Sequence, residues 1–130
     1  MLELKVQSQR KTQVIDITQA VGEHLPPAAE GVLGLFCPHT TVALVIGEDE
    51  EKLLGDLERT AEHLLDHCGP FQHAGRGNPN APAHLFSSLG GPALWVPVEA
   101  GRLCLGTFQR LLLVELDGPK ERRVWLRLVG

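Results

Sequence analysis

The last forty residues constrain the fold more tightly than any other part of the chain. Ala93 to Val98, Arg102 to Gly106, Gln109 to Leu116 and Arg123 to Val129 are short, mostly apolar segments, punctuated by Glu-Ala-Gly and Asp-Gly-Pro turns. Strands joined so tightly form an antiparallel meander. Upstream, Leu2, Leu4 and Val6 alternate with Glu3 and Lys5, the period of a half-buried strand, and Gln13 to Ile17 supplies a partner for an early hairpin. Gly31 to Cys37 and Val42 to Ile46 are apolar enough for buried strands, separated by the polar insertion Pro38-His39-Thr40-Thr41.

One long helix is expected over Glu48 to His67. Leu53, Leu54, Leu57, Ala61, Leu64 and Leu65 share a face at helical spacing, Glu48, Asp49, Glu50 and Glu51 complement the positive end of the dipole, and Gly69-Pro70 stops it. Shorter helices are expected over Thr18 to Leu25 and Ala83 to Leu89, with a long Gly/Pro-rich loop over residues 69–80. Strands, then a helix, then strands again, without regular β-α alternation, predict an α+β fold. Its form is a large, mostly antiparallel mixed sheet packed with one long and one or two short helices. At 130 residues the chain is read as a single domain spanning 1–130.

Composition narrows the functional classes. No run of apolar residues is long enough to span a bilayer, and the N-terminal MLELKVQSQRK lacks the pattern of a secretory signal, so a cytoplasmic address is expected. Cys37, Cys68 and Cys104 form no CxxC and are read as reduced, buried thiols. The net charge of −4 argues against nucleic-acid binding. Residues 101–130 nevertheless hold Arg102, Arg110, Lys120, Arg122, Arg123 and Arg127 against only Glu115, Asp117 and Glu121, basic charge that a small phosphate-bearing ligand can use.

The histidines sort by position. His63 and His67 have ligand-like spacing but lie off the leucine face of the long helix, and His24 precedes a Pro-Pro stop, so these three belong to the surface. His39 interrupts apolar strands, His73 lies in the long loop and His84 opens the next helix. A half-buried imidazole needs hydrogen bonds or a metal, and three neutral imidazoles brought together suit zinc or a similar divalent ion. Glu115 shares a strand face with Gln109, Leu111 and Leu113, so its charge requires an Arg, a His, a metal or a wet pocket. Glu48 directly follows an apolar strand, either as a helix-dipole acid or as a site residue.

Four motifs stand in order along the chain: His39-Thr40-Thr41 with an apolar run into Glu48; Asn80-Ala81-Pro82-Ala83-His84; Leu105-Gly106-Thr107-Phe108-Gln109; and Glu115-Leu116-Asp117-Gly118-Pro119-Lys120-Glu121-Arg122. Together they resemble the YjbQ family, whose members are often described as secondary thiamine-phosphate synthases. The resemblance covers essentially the whole chain. It implies an α+β homotrimer that joins a pyrimidine diphosphate to a thiazole phosphate and releases pyrophosphate. On that basis His39, His73 and His84 are expected as metal ligands for zinc or magnesium, and Glu48, Asn80, Gln109 and Glu115 as catalytic residues. Thr40, Thr41, Lys120 and Arg122 are expected to contact a small phosphorylated substrate, with no nucleic-acid or membrane partner. Two alternatives stand beside this: a hydrolase using a histidine-held zinc, and a non-catalytic trimeric module that binds a metal or an anion. The chain departs from the family pattern at Gly47, Phe71, Pro82 and Phe108, which keeps an aromatic wall but removes two polar groups.

Overall fold

The computed structural model describes residues 1–73 and 79–130, so the centre of the loop expected over 69–80 lies outside the described residues. The elements in chain order are β1 (Leu2–Gln7), β2 (Gln13–Asp16), α1 (Thr18–Gly22), β3 (Gly31–Phe36), β4 (Val42–Gly47), α2 (Glu51–His63), α3 (Ala81–Gly90), β5 (Ala93–Glu99), β6 (Arg102–Leu103), β7 (Arg110–Glu115) and β8 (Glu121–Val129). A 3₁₀ turn over Asp66–Cys68 follows α2.

The fold is α+β, and every strand pairing among the described residues is antiparallel. The strands divide between a five-stranded sheet, ordered β1-β8-β3-β5-β6, and a three-stranded sheet, ordered β2-β7-β4. Strand β7 explains the division. Leu111, Leu112, Leu113 and Val114 are all buried, so both faces of this strand need cover. Leu111 and Leu113, with Val42 and Leu44 of β4, pack against Leu33, Leu35, Val96, Val124 and Leu126 of the five-stranded sheet. Leu112 and Val114 pack against Ala61, Leu54 and Leu57 of α2 and against Ala83 and Phe86 of α3. The layers are therefore large sheet, small sheet, helices.

Helix α2 is shorter than its apolar pattern suggests. The Glu50 carboxylate accepts from the Leu53 N–H at 2.7 Å, capping the helix and leaving Glu48 and Asp49 outside it. Leu54, Leu57 and Leu65 pack on the small sheet, whereas Leu53 and Leu64 are exposed. The thiols are also corrected: Cys37 is buried, but Cys68 and Cys104 are exposed.

Candidate functional site

Strand alternation places Glu115 on the face of β7 that meets the large sheet, at the end where β8 begins. Arg122, one residue into β8, comes to the same point. Glu115 is 0% exposed and Arg122 4% exposed. The guanidinium donates from Nε to Glu115 Oε1 at 2.9 Å and from Nη2 to Oε2 at 2.5 Å, a bidentate pair. The remaining acceptor capacity of Glu115 is filled by Ser8 Oγ at 2.7 Å and by the Leu116 and Asp117 N–H groups at 3.0 Å each. Arg122 Nη2 also donates to Thr41 Oγ1 at 2.8 Å. Burial raises the Glu115 pKa, but the bonds from Arg122, Ser8 and the Asp117 N–H outweigh it and hold the carboxyl below its ordinary value.

Glu115 thus has the arginine partner its sequence position required. Both of its oxygens accept hydrogen bonds, and Arg122 is held through Nε and Nη2. Glu115, for which a catalytic role was expected, and Arg122 and Thr41, for which phosphate contacts were expected, thus form a buried ion pair with its hydroxyl partner. Gly118 belongs to the same construction, because a Cβ there would lie 2.4 Å from the Arg10 carbonyl oxygen and 2.6 Å from Ser8 Oγ.

Above the pair, the β7–β8 turn carries a second polar layer. Asp117 is buried, and its Oδ2 accepts from Lys120 Nζ at 3.2 Å and from Asn80 Nδ2 at 3.1 Å. Asn80 Oδ1 lies 2.9 Å from His73 Nε2. A carboxylate only accepts, so the Asn80 amide turns its NH₂ to Asp117 and its oxygen to His73. Nε2 of His73 then donates, and in the neutral ring Nδ1 keeps the lone pair. The His84 ring stands edge-on to His73, with centroids 5.0 Å apart. Asn80 occupies the N-cap position of α3 but makes no capping bond. Its side chain serves the Asp117–His73 bridge instead, forgoing a cap worth roughly 1 kcal/mol. Clefts of about 360 Å³, beside Asn80, Lys11 and Thr12, and about 420 Å³, beside Phe71, His73 and His84, open on either side of this bridge.

His39 does not join the other two histidines as a metal ligand. Its Nε2 accepts from the Arg123 N–H at 3.0 Å, so in the neutral ring Nδ1 holds the proton and neither nitrogen offers a lone pair. Burial, with Arg122, Arg123 and Lys120 nearby, lowers its pKa and favours that neutral form. Among the described residues no group of three or more His, Cys, Asp or Glu side chains is placed to hold a metal ion. The donor set within one chain does not fit the expected three-histidine centre.

Two more expected residues lie elsewhere. The registers pair Val42 with Glu115 and Gly47 with Arg110, so Glu48 and Gln109 belong to the opposite end of β7, roughly 20 Å from Glu115 at about 3.3 Å per residue. There the Gln109 side chain accepts from the Gly106 N–H at 2.8 Å and closes its own turn. Arg110 Nε donates to Asp16 Oδ2 at 2.7 Å beside Asp49. Thr40 is exposed in the β3–β4 loop. Sequence reasoning left out Asp117 and Ser8. Asp117 had a signal, standing two residues after Glu115 in the same motif, whereas Ser8 reaches Glu115 across 107 residues of chain and carried none.

Fold and site together define a two-sheet α+β protein with a buried ion pair beneath a histidine-bearing polar cluster. The chain belongs to the family described as UPF0047 protein YjbQ-like, whose model matches residues 2–130. It is 42% identical to a UPF0047 protein of Archaeoglobus fulgidus over 95% of this chain and 96% of that one. It is 31% identical to the UPF0047 protein YugU of Bacillus subtilis over 98% and 97%. Among solved structures, a hypothetical protein of Aeropyrum pernix K1 is similar at 39% identity and TM-score 0.90, covering 98% of this chain and 96% of that one. A YjbQ/UPF0047 protein of Clostridium acetobutylicum, described as uncharacterized, is similar at 29% identity and TM-score 0.89, covering 99% and 100%.

These findings correct the expected activity. The family and its relatives carry UPF0047 and hypothetical-protein descriptions, with no thiamine-phosphate synthesis or other catalysis among them. Two residues assigned to that chemistry, Glu115 and Arg122, are buried in each other's company. The synthase reading and its zinc-hydrolase alternative do not stand. Among the described residues no helix is long and apolar enough to cross a membrane.

Proposed function

We propose that the protein transfers a proton to or from a small phosphorylated substrate, with His73 Nδ1 as the group that takes the proton. The observation that carries this reading is the side chain of Asn80, which forgoes the helix cap to link Asp117 to His73. A positioned amide that fixes one imidazole tautomer is what a general base requires. Asp117 holds Asn80, and the buried Glu115–Arg122 pair holds the β7–β8 turn that carries Asp117, so both act as positioning groups. The half-exposed Lys120 ammonium supports a phosphate contact. The N-terminal end of α3, uncapped by Asn80, supports another.

The test is a panel of sugar phosphates incubated with the protein in ²H₂O, with deuterium incorporation at carbon followed by NMR. Wild type is expected to label at least one member. His73→Ala should lower that rate by about 10²–10⁴-fold, the usual worth of a general base, and Asn80→Ala by up to about 10²-fold through misplacement of the ring. Labelling that is unchanged in His73→Ala, or equal for phosphorylated and dephosphorylated sugars, contradicts the reading.

A further inference from the structure

The connection between β1 and β2 carries a polar group that the fold itself does not use. Most of its neighbours are committed within the chain. Ser8 Oγ donates to Glu115 at 2.7 Å, the Arg10 guanidinium pairs with Glu58 at 2.9 Å, and the Gln13 side chain accepts from the Gln9 and Arg10 N–H groups at 2.7 and 3.3 Å. The Gly118 N–H donates to the Lys11 carbonyl at 3.0 Å, which ties the connection to the β7–β8 turn. Thr12 sits in this well-held stretch, 8% exposed, and among the described residues its hydroxyl has no hydrogen-bond partner. Lys11 beside it is exposed, and its ammonium forms no ion pair among the described residues.

Burying a hydroxyl without a partner costs free energy, so its place in a fixed loop needs a reason. Among the described residues no side-chain polar atom is both sealed from solvent and unpaired, so the Thr12 hydroxyl keeps an opening. That opening is the cleft of about 360 Å³ between the β1–β2 connection, the end of α2 and the start of α3, which Thr12 and Lys11 line together with Asn80. Buried Ala61, Ala83 and Leu116 supply its apolar lining. The N-terminal end of α3, left uncapped by Asn80, opens on the same cleft.

These groups call for the same kind of partner. The Lys11 ammonium only donates, the Thr12 hydroxyl can donate, and the Asn80 amide keeps a second N–H after serving Asp117. A helix N-terminus adds donors and the positive end of a dipole. A phosphate, with several acceptor oxygens and negative charge, satisfies all of them. Exposed Glu62, 3.7 Å from His63 at the mouth of the cleft, works against a polyanion and leaves room for one such group. The volume lies within the range of small-molecule sites, about 300–1,000 Å³. We infer that the cleft binds the phosphate of a small phosphate monoester, with Lys11 as its counter-charge and Thr12 as its buried donor. The inference rests on the proposed proton transfer in one respect, that the molecule held here is the one that reaches His73 across the Asn80 bridge.

Titration of the protein with ribose 5-phosphate, followed in ¹H–¹⁵N spectra, reads the site directly. Saturable shifts are expected at the Thr12 N–H and the Asn80 side-chain NH₂, more weakly with inorganic phosphate and not at all with ribose. Lys11→Met should weaken binding about tenfold or more, the worth of a charge-assisted hydrogen bond, and Thr12→Val about fivefold. Thr12→Val should also unfold at no lower urea concentration than wild type, because the hydroxyl it removes has no partner in the free protein. A merely structural threonine would lose stability instead. Lys11 is exposed, so its variant carries the test even where the valine variant does not fold. No saturable shift with either phosphate, tighter binding of inorganic phosphate than of the ester, or binding that both variants leave unchanged overturns the inference. So does binding lost in Lys120→Met but kept in Lys11→Met, which moves the phosphate to Lys120 and leaves the proton-transfer reading intact. Saturable binding at Thr12 without deuterium labelling at carbon counts against the proton transfer alone.

Discussion

Glu115→Gln is expected to lower the free energy of unfolding by about 3–5 kcal/mol, because it leaves the Arg122 charge buried without its counter-ion. The substitution conserves shape, so packing contributes little. Its amide nitrogen would also face groups that only donate, among them the Leu116 and Asp117 N–H groups and the guanidinium. The double variant Glu115→Leu with Arg122→Met should be less destabilised than Glu115→Gln alone, since an apolar pair of similar volume removes the buried charge altogether. Urea unfolding of the single and double variants checks both statements; simple additivity of the losses would contradict them.

The same carboxyl sets part of the acid response. Glu115, Glu58 and Asp16 all have pKa values lowered in the folded protein. Burial raises Asp16, but the hydrogen bonds from Arg110 and Thr18 overcome it and leave a value of about 2. A lowered folded pKa means that the unfolded chain binds more protons below its own carboxylate pKa of about 4. The stabilisation is therefore fully present above that pH and is lost as pH falls toward the folded values. Unfolding midpoints should drop below about pH 4, and Glu115→Gln should show a shallower dependence than wild type.

Leu113→Ala is expected to cost about 2–5 kcal/mol. Leu113 is 0% exposed and lies between the two sheets, level with Ile15 of β2 and Leu44 of β4. The strands on either side are fixed by their ladders and cannot collapse onto the void, which favours the upper part of that range. Domains are stable by only about 5–15 kcal/mol, so the loss is a large share of the total. Leu89, exposed at the end of α3, should change stability by less than about 0.5 kcal/mol when replaced by alanine. Denaturation curves with an unchanged slope and a lower midpoint for Leu113→Ala are the expected result.

The strands of the meander and the need of Glu115 for a partner are legible in the sequence. Gln109 to Leu116 reads as a strand, and a glutamate on its leucine face demands an Arg, a His, a metal or a wet pocket, of which the fold supplies the arginine. What the sequence withholds is register and side-chain choice. Register sends Glu48 and Gln109 to the opposite end of β7 from Glu115, although both resemble site residues in one dimension. Side-chain choice has the Glu50 carboxylate, third in a run of four acids, capping α2. It also turns Asn80 away from the helix it precedes, a departure from local preference that shows only in three dimensions.

The central claim is that the Asp117–Asn80 link holds His73 as one tautomer with Nδ1 bare. A long-range ¹H–¹⁵N correlation spectrum of the six histidine rings in wild type and Asn80→Ala tests it directly. The account predicts a pyrrole-like Nε2 and a pyridine-like Nδ1 for His73 in wild type, averaging toward a mixture in Asn80→Ala. A reversed or mixed tautomer in wild type, or a spectrum that Asn80→Ala leaves unchanged, would contradict it.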